Sequence, residues 1–355
     1  MAKAPSSGKP LTLVEVAQRL GVSKSTVSAA FTGRGTITAA RREAVKSAAV
    51  ELGYEPNPHA QQLVHGSRSD MICLCAPNLG AGDFTRVIEL LQYAIVQRGI
   101  VAPIHLTGVH PSEVEYQITV FRSLRLQRPR AIVCCVRRLL PELRKELERY
   151  MAAGGILIAA EGYASEDIGS DWVRHDGKYN AYVATKYLLD NGHKKIGIYL
   201  PSPGVLARPD AEDPIYEGYL QAHREFGITP RPDWLVRRSY YEDGGTHMAK
   251  VFLALEERPS AMFIVNDNAA SAFVQQLYRA GLSVPRDVSV VGHDDAAVAA
   301  ACMTPLTTVS WPIRSMVDEL EKLLFSRIEN GFDGVRREVI VRGELRVRES
   351  VMAIS

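Results

Sequence analysis

No apolar run in this sequence reaches the roughly 18 residues a membrane-spanning helix needs. The opening Met-Ala-Lys-Ala-Pro-Ser-Ser-Gly-Lys-Pro has no apolar stretch of the kind a signal peptide carries. A cytoplasmic protein with no membrane partner is therefore expected. Cysteine is scarce and odd in number: of Cys73, Cys75, Cys134, Cys135 and Cys302, four lie inside apolar runs that read as strands. Buried, reduced thiols are predicted. Cys73-x-Cys75 lacks zinc-knuckle spacing and has no second pair nearby, so neither a metal nor a cofactor is expected. Catalytic signatures are missing as well. There is no His-Glu-x-x-His helix and no Gly-x-Ser-x-Gly elbow. His175-Asp176 and His293-Asp294-Asp295 can be drawn together as an acid–base or metal cluster, but no diagnostic spacing supports it, and the chain is not read as an enzyme. Gly80-Ala-Gly82 lies between a strand and a helix, yet Thr85 stands where a dinucleotide loop needs its third glycine.

What is present begins with length. A chain of 355 residues allows two or three domains, and 46% apolar with 23% charged residues is the balance of a globular protein with a sizeable core. Thr12 reads as an N-cap with Glu15 completing a capping box, and Leu13, Val16, Ala17 and Leu20 recur on one helical face. Gly21 breaks that helix. Ser23 caps a second one, with Val27, Ala30 and Phe31 facing inward and Lys24, Ser25, Ser28 and Ala29 facing outward. A third helix starts near Thr38, buries Val45, Ala48, Ala49 and Leu52, and stops at Gly53. Residues 1–68 hold nine Lys or Arg against four acids, whereas the remainder holds 33 basic against 36 acidic residues. A basic head on a mildly acidic body is what phosphate binding requires.

Gly21-Val-Ser-Lys-Ser-Thr-Val-Ser28, Glu51-Leu-Gly-Tyr-Glu-Pro-Asn-Pro58 and Ala60-Gln-Gln-Leu63 resemble the DNA-binding head and hinge of the LacI/GalR family of bacterial transcription regulators. The likeness continues through Asp176, Gly192-His193, Asn266-Asp267, Val284-Pro285, Val290-Val-Gly-His-Asp-Asp295 and Pro305-Leu-Thr-Thr308. It implies a homodimeric, ligand-responsive DNA-binding regulator, a repressor, acting on double-stranded DNA at a near-palindromic operator. It further implies DNA contacts by Thr12, Ser23, Lys24, Ser25, Thr26, Ser28 and Ala29. Asn57, Ala60, Gln61 and Leu63 would belong to a hinge that orders on DNA, with Leu63 as a minor-groove wedge. A plain linker is the alternative for that segment. The alternative for the whole chain is a cytosolic small-molecule binding module whose head serves assembly.

From residue 70 short apolar runs (71–76, 131–136, 156–160, 195–200, 261–265, 288–291) alternate with helical stretches (83–98, 112–127, 141–152, 178–191, 242–256, 268–280, 312–330), which predicts doubly wound sheets. The fold class expected is an α/β core of two doubly wound lobes, of the type I periplasmic-binding-protein kind, behind an all-α helix-turn-helix head. The predicted divisions are a disordered tail over 1–10, the head over 11–55, a hinge and linker over 56–69, and the core over 70–355. Within the core, lobe 1 is placed at 70–161 and 294–325, and lobe 2 at 162–293 and 326–355. No leucine heptads follow Arg348 to give a coiled-coil tetramerisation helix.

Ligands in such folds bind beyond the carboxyl ends of strands. Asp176, Asn266 and Asp294 fall there, where carboxylates and amides can hold the hydroxyls of a sugar or nucleoside; Asp176 and Asn266 can equally cap the following helices. The resemblance adds Asp83 and Phe84 from the loop after the first core strand, and Tyr240 as a stacking aromatic. Two departures stand out: His293 replaces the aromatic before Asp294, and Ile215 stands where many members carry an arginine that grips ligand oxygens. Arg208 is a candidate substitute. A sugar-like effector in the interlobe cleft is the resulting expectation.

Overall fold

The computed structural model describes residues 11–32, 36–54, 69–77, 83–108, 114–136, 141–162, 168–201, 213–238 and 244–354. The chain divides into two units, Met1–Ser69 and Asp70–Ser355. The 1–10 tail and residues 56–68 of the hinge and linker fall outside the described residues, whereas Ser69, the expected end of the linker, already belongs to the first strand of the core.

In the first unit, α1 (Leu13–Arg19), α2 (Lys24–Thr32) and α3 (Ala39–Glu51) are each started by local hydrogen bonding. Thr12 and Glu15 form the full capping box: the Glu15 amide donates to Thr12 Oγ1 at 3.3 Å and the Thr12 amide to Glu15 Oε2 at 2.7 Å. Ser23 Oγ accepts from the Thr26 amide at 3.0 Å, and Thr38 Oγ1 from that of Arg41 at 3.3 Å. Gly21 and Gly53 end α1 and α3 at φ +62° and +75°, a left-handed conformation that costs glycine little. Val16, Ala17, Val27, Ala30, Val45 and Ala49 form the shared core together with Tyr54, whose ring meets Phe31 edge-on at 5.5 Å. Ala48 and Leu52 are half-buried. Ala29 corrects the expected outward row: it is 8% exposed, because a methyl group ends close to the backbone and modest cover hides it.

Among the described residues, the second unit contains two six-stranded sheets. The first is built from β1 (Ser69–Ala76), β2 (Ile104–Leu106), β3 (Pro129–Val136), β4 (Ile156–Gly162), β5 (Asp171–His175) and β11 (Glu338–Val341), in the order β11-β5-β4-β3-β1-β2. The second is built from β6 (Ile196–Pro201), β7 (Leu235–Arg238), β8 (Ala261–Ile264), β9 (Ser289–Asp294), β10 (Thr307–Ser310) and β12 (Leu345–Arg346), in the order β12-β10-β9-β8-β6-β7. Strand alternation sorts the side chains onto two faces. Ile72, Leu74, Ala76, Ala131, Val133 and Cys135 pack with α4 (Asp83–Gln97) and the long α12 (Ile313–Asn330). Cys73, Cys75, Ile132 and Cys134 point the other way, toward α5 (Val114–Gln127) and α6 (Pro141–Ala152). In the second sheet Met262, Ile264 and Val290 pack with α9 (Gly244–Ala254) and α10 (Asp267–Arg279), and Ala261, Phe263 and Val291 with α7 (Gly177–Asp190) and α8 (Pro214–Glu225). A short α11 (Ala297–Ala301) follows β9. All five cysteines are free thiols and only Cys302 is not fully buried; burial pushes the Cys73 thiol up to about 12.

The chain crosses between the sheets later than the expected boundaries at 161, 294 and 326. β5 belongs to the first sheet, β9 and β10 both to the second, and β11 to the first again, so the crossings follow His175, Ser310 and Val341. β5 escapes a reading by apolar runs because its start and end are polar. Asp171 there is 3% exposed and receives Arg327, itself 2% exposed, through two bonds of 2.7 and 3.0 Å. Arg327 also reaches Asp333 at 2.7 Å and the Val335 carbonyl at 2.6 Å, which fixes the turn leading from α12 into β11. Removing one partner of a buried ion pair strands the other charge. Arg327→Met is expected to destabilise the chain by about 3–5 kcal/mol in urea unfolding, and a loss under about 1 kcal/mol would show that the pair does not hold this edge.

Candidate nucleic-acid interface and interlobe cleft

In the first unit, the exposed start of α2 carries the chemistry. Ser23, Lys24 and Ser25 are exposed, Thr26 and Ser28 half-buried, and no acid occupies the first turn. Ser23 Oγ lies 2.7 Å from Ser25 Oγ and 2.8 Å from Thr26 Oγ1, so the three hydroxyls form one cluster in the same turn as the exposed Lys24. A helix N-terminus with a lysine and hydroxyl donors favours phosphate oxygens and can reach base edges. Thr12 is exposed at the start of α1. Asn57, Ala60, Gln61 and Leu63 lie outside the described residues.

In the second unit, residues from the carboxyl ends of both sheets meet at the crossings. Asn266 caps α10, its Oδ1 accepting from the Ala269 amide at 3.0 Å, and its Nδ2 donates to Asp294 Oδ2 at 2.9 Å. Asp294 sits at φ +114°, a strained position for a side-chain-bearing residue. Its other oxygen, Oδ1, is 2.7 Å from His293 Nδ1. The sense of these bonds follows from Asn180: its Oδ1 accepts from the Gly343 amide at 3.0 Å, so its Nδ2 is the donor facing His293 Nε2 at 3.4 Å. His293 therefore accepts at Nε2 and donates from Nδ1 to Asp294.

Asp176 caps α7 by accepting from the Tyr179 amide at 2.9 Å and pairs with Arg342 at 3.2 Å, so it serves as a cap and as a tie to the third crossing. Phe84 differs from its expected place as a cleft wall. It is 4% exposed and heads the core stripe Phe84, Val87, Ile88, Leu91 of α4, whose spacing turns it inward. Tyr240 and Arg208 lie outside the described residues, as does the Asp83 side chain.

The structure brings in residues that strand-end reasoning missed. Glu161, at φ +61° near the end of β4, accepts from the His175 amide at 2.8 Å and holds His175 Nδ1 at 2.8 Å. The His175 ring lies 5.0 Å from Trp311 and 6.0 Å from His293. Burial lowers the affinity of His175 for a proton, but Glu161, then Asp294 and Asp176, outweigh it and hold the imidazole protonated above its ordinary 6.5. A charged residue ending an apolar strand run was the available signal for Glu161. Its partner is 14 residues away and is found only through the pairing of β4 with β5.

Beneath this floor lies Asp267, with no exposed surface. Its Oδ1 lies 2.8 Å from Thr308 Oγ1 and its Oδ2 accepts from the Ala296 amide at 2.9 Å. Burial and the nearby Asp294 charge push its carboxyl up to about 8, so it is neutral at pH 7. The folded chain keeps a proton that the unfolded chain releases near 3.8, so this group's contribution to stability falls as pH rises from about 4 to about 8. Asp267→Asn, an uncharged isostere able to keep both contacts, is expected to gain on the wild type across that range in urea midpoints. Parallel pH profiles for the two proteins would refute a neutral Asp267.

Comparisons with known proteins follow the same division. Residues 12–57 match the family model described as bacterial regulatory proteins, lacI family, and residues 185–351 match that of the periplasmic binding protein-like domain. The HTH-type transcriptional repressor PurR of Vibrio vulnificus (strain CMCP6) is 27% identical over 345 residues, covering 97% of this chain and 99% of the relative. The NTD biosynthesis operon regulator NtdR of Bacillus subtilis (strain 168) is 24% identical, covering 96% and 99%. Among solved structures, the lac repressor dimer bound to operator and the anti-inducer ONPF has a TM-score of 0.78 at 22% identity, covering 97% of this chain and all of that one. The complex of the transcriptional regulator CelR with cellobiose has a TM-score of 0.68 at 27% identity, covering 96% and 99%.

Proposed function

Because the chain belongs to the LacI family of bacterial regulatory proteins, we infer that it is a sequence-specific DNA-binding transcription regulator whose operator affinity is modulated by a small molecule bound between its core lobes. The observation that carries this reading is the union, in one chain, of a basic helix-turn-helix head and a core whose two sheets converge on one polar floor. Action as a repressor is supported by the PurR relatives. In the head, the Ser23–Ser25–Thr26 hydroxyl cluster and Lys24 contact the duplex, with Thr12 and Ser28 beside them. Ala29 offers at most a methyl contact to a thymine. In the core, Asn266 and Asp294 hold effector hydroxyls. A sugar is the effector class that fits them, in keeping with the cellobiose held by CelR. The protein is cytoplasmic and performs no catalysis in this reading.

A homodimer presents two heads to a two-fold site. One lobe exposes Tyr93 (67%), Val96 (49%) and Val101 (68%), with Ile104 and Leu106 on the free edge strand β2, an apolar concentration suited to a second copy. Selection from random duplexes is expected to return a near-palindrome, with sedimentation giving a dimer at micromolar concentration. A monomer that selects motifs without dyad symmetry, or no motif, would instead leave the head as an assembly element.

Asp294→Ala separates the two activities. Operator affinity is expected to stay within a few-fold of wild type, while the response to whichever sugar or nucleoside weakens operator binding by the wild type disappears. A ligand at one hundred times its dissociation constant stabilises its protein by about 2.7 kcal/mol, so thermal-shift screening of the intact chain is sensitive enough to find that compound. An undiminished response in Asp294→Ala would remove Asp294 from the site.

A further inference from the structure

This inference rests on reading the interlobe floor as the effector site. The two histidines there differ in what they have left to offer. His293 has both ring nitrogens engaged, Nδ1 with Asp294 and Nε2 with the Asn180 amide. A proton added at Nε2 would set two N–H groups against each other, and Asn180 cannot turn without losing Gly343. His175 has only Nδ1 engaged, and among the described residues Nε2 has no hydrogen-bonding partner. A methyl placed on Gly177 would sit 3.3 Å from Ile215 Cγ1 and 3.4 Å from His175 Nε2. An open ring nitrogen, an aliphatic wall and a backbone without a side chain thus meet at one spot, with Trp311 packed 5.0 Å from the same imidazole.

With Nδ1–H held by Glu161, Nε2 of the neutral ring is an acceptor; gaining a proton turns it into a charged donor. The groups around it favour that change. Glu161 comes from β4, Asp176 precedes α7 and is paired with Arg342, Asp294 and His293 come from β9, and Lys178 and Glu217 on α7 and α8 pair with each other at 2.9 Å. Around the floor, Asp295 is matched by Arg348 at 2.5 Å and Asp267 is neutral, so among the described residues Asp294 has no lysine or arginine partner, only the His175 imidazole whose proton it favours. A carboxylate or phosphate on the ligand would meet that charge, whereas hydroxyls would meet acceptors at Asp294 and a donor at His175.

We propose that His175 is a proton-gated specificity residue for a neutral, hydroxyl-rich effector, its imidazolium Nε2–H donating to a ligand oxygen seated against Ile215 and Gly177. Binding then tightens as pH falls through the titration of His175. A second consequence follows for the protein without ligand. The stabilisation from the Glu161–His175 pair is complete below the unfolded value near 6.5 and is lost as pH rises through the higher folded value.

The test uses the intact chain in two arms. Nitrogen-15 histidine spectra from about pH 5 to about pH 9, assigned with His175→Gln, are expected to show His175 titrating above 6.5 and moving down in Glu161→Gln. Thermal-shift titrations with neutral sugars, sugar acids and nucleosides at about pH 6 and about pH 8.5 form the second arm. The compound that binds is expected to be uncharged and about tenfold tighter at the lower pH, a difference absent from His175→Gln, which can still bond Glu161. Affinity independent of pH, a pH dependence that survives in His175→Gln, a preference for sugar acids, or a His175 that titrates below 6.5 would each overturn the proposal. Binding by none of the compounds at either pH, with the spectra as expected, would overturn the ligand assignment and place the fault in the effector reading, not in the protonation of His175.

Discussion

A neutral carboxyl group organises the cleft. Asp267 opens α10, holds the loop after β9 through the Ala296 amide and holds β10 through Thr308. The knot is tight enough that a methyl on Gly292 would fall 2.1 Å from Asp267 Oδ1, so the strand carrying His293 and Asp294 must have glycine there. Were Asp267 ionised, three carboxylates, Asp267, Asp294 and Asp295, would crowd one turn. Keeping it protonated removes a like charge from beneath Asp294, whose two oxygens are bonded to Asn266 and His293.

The same economy governs the crossings. The Asp176 amide donates to the Val341 carbonyl at 2.8 Å, the Ser310 amide to the Glu344 carbonyl at 2.8 Å, and Gly343 to Asn180. The Trp311 amide donates to the Asp294 carbonyl at 3.0 Å. Three connecting segments far apart in sequence are thus bonded to one another and to the floor. Gly343 has no room for a side chain, since a methyl there would lie 2.1 Å from the Ser310 carbonyl oxygen. Segments tied this way move together, which suits a hinge with two discrete arrangements better than three independent linkers.

What the sequence made legible was local. The Thr12–Glu15 box, the caps at Ser23 and Thr38 and the apolar strand runs involve neighbours within a few positions, where spacing alone carries the information. Misreadings arose where a partner is distant. β5 hides as a strand because its charged ends are satisfied by Arg327, 156 residues on, and by Glu161. The inward turn of Phe84 and the cover over Ala29 are decided by packing against other elements, and composition is silent about both. Asp176, Asn266 and Asp294 were readable as strand-end polar residues. That Glu161, His175 and His293 join them depends on the order of strands in two sheets, which no single stretch of chain encodes.

A ligand shifts a two-state equilibrium only by as much as it binds one state better than the other. A compound held by residues of a single lobe would bind alike whether the lobes were open or closed, and would change nothing however tightly it bound. Here the polar groups are divided: Glu161 and His175 stand on the first sheet, Asn266, His293 and Asp294 on the second. A molecule bridging them makes its full set of contacts in one arrangement of the lobes and only part of that set in any other. The difference between those sets is the free energy available for regulation. A single charge-assisted bond of about 1.5–3 kcal/mol from His175 would supply a tenfold to hundredfold bias.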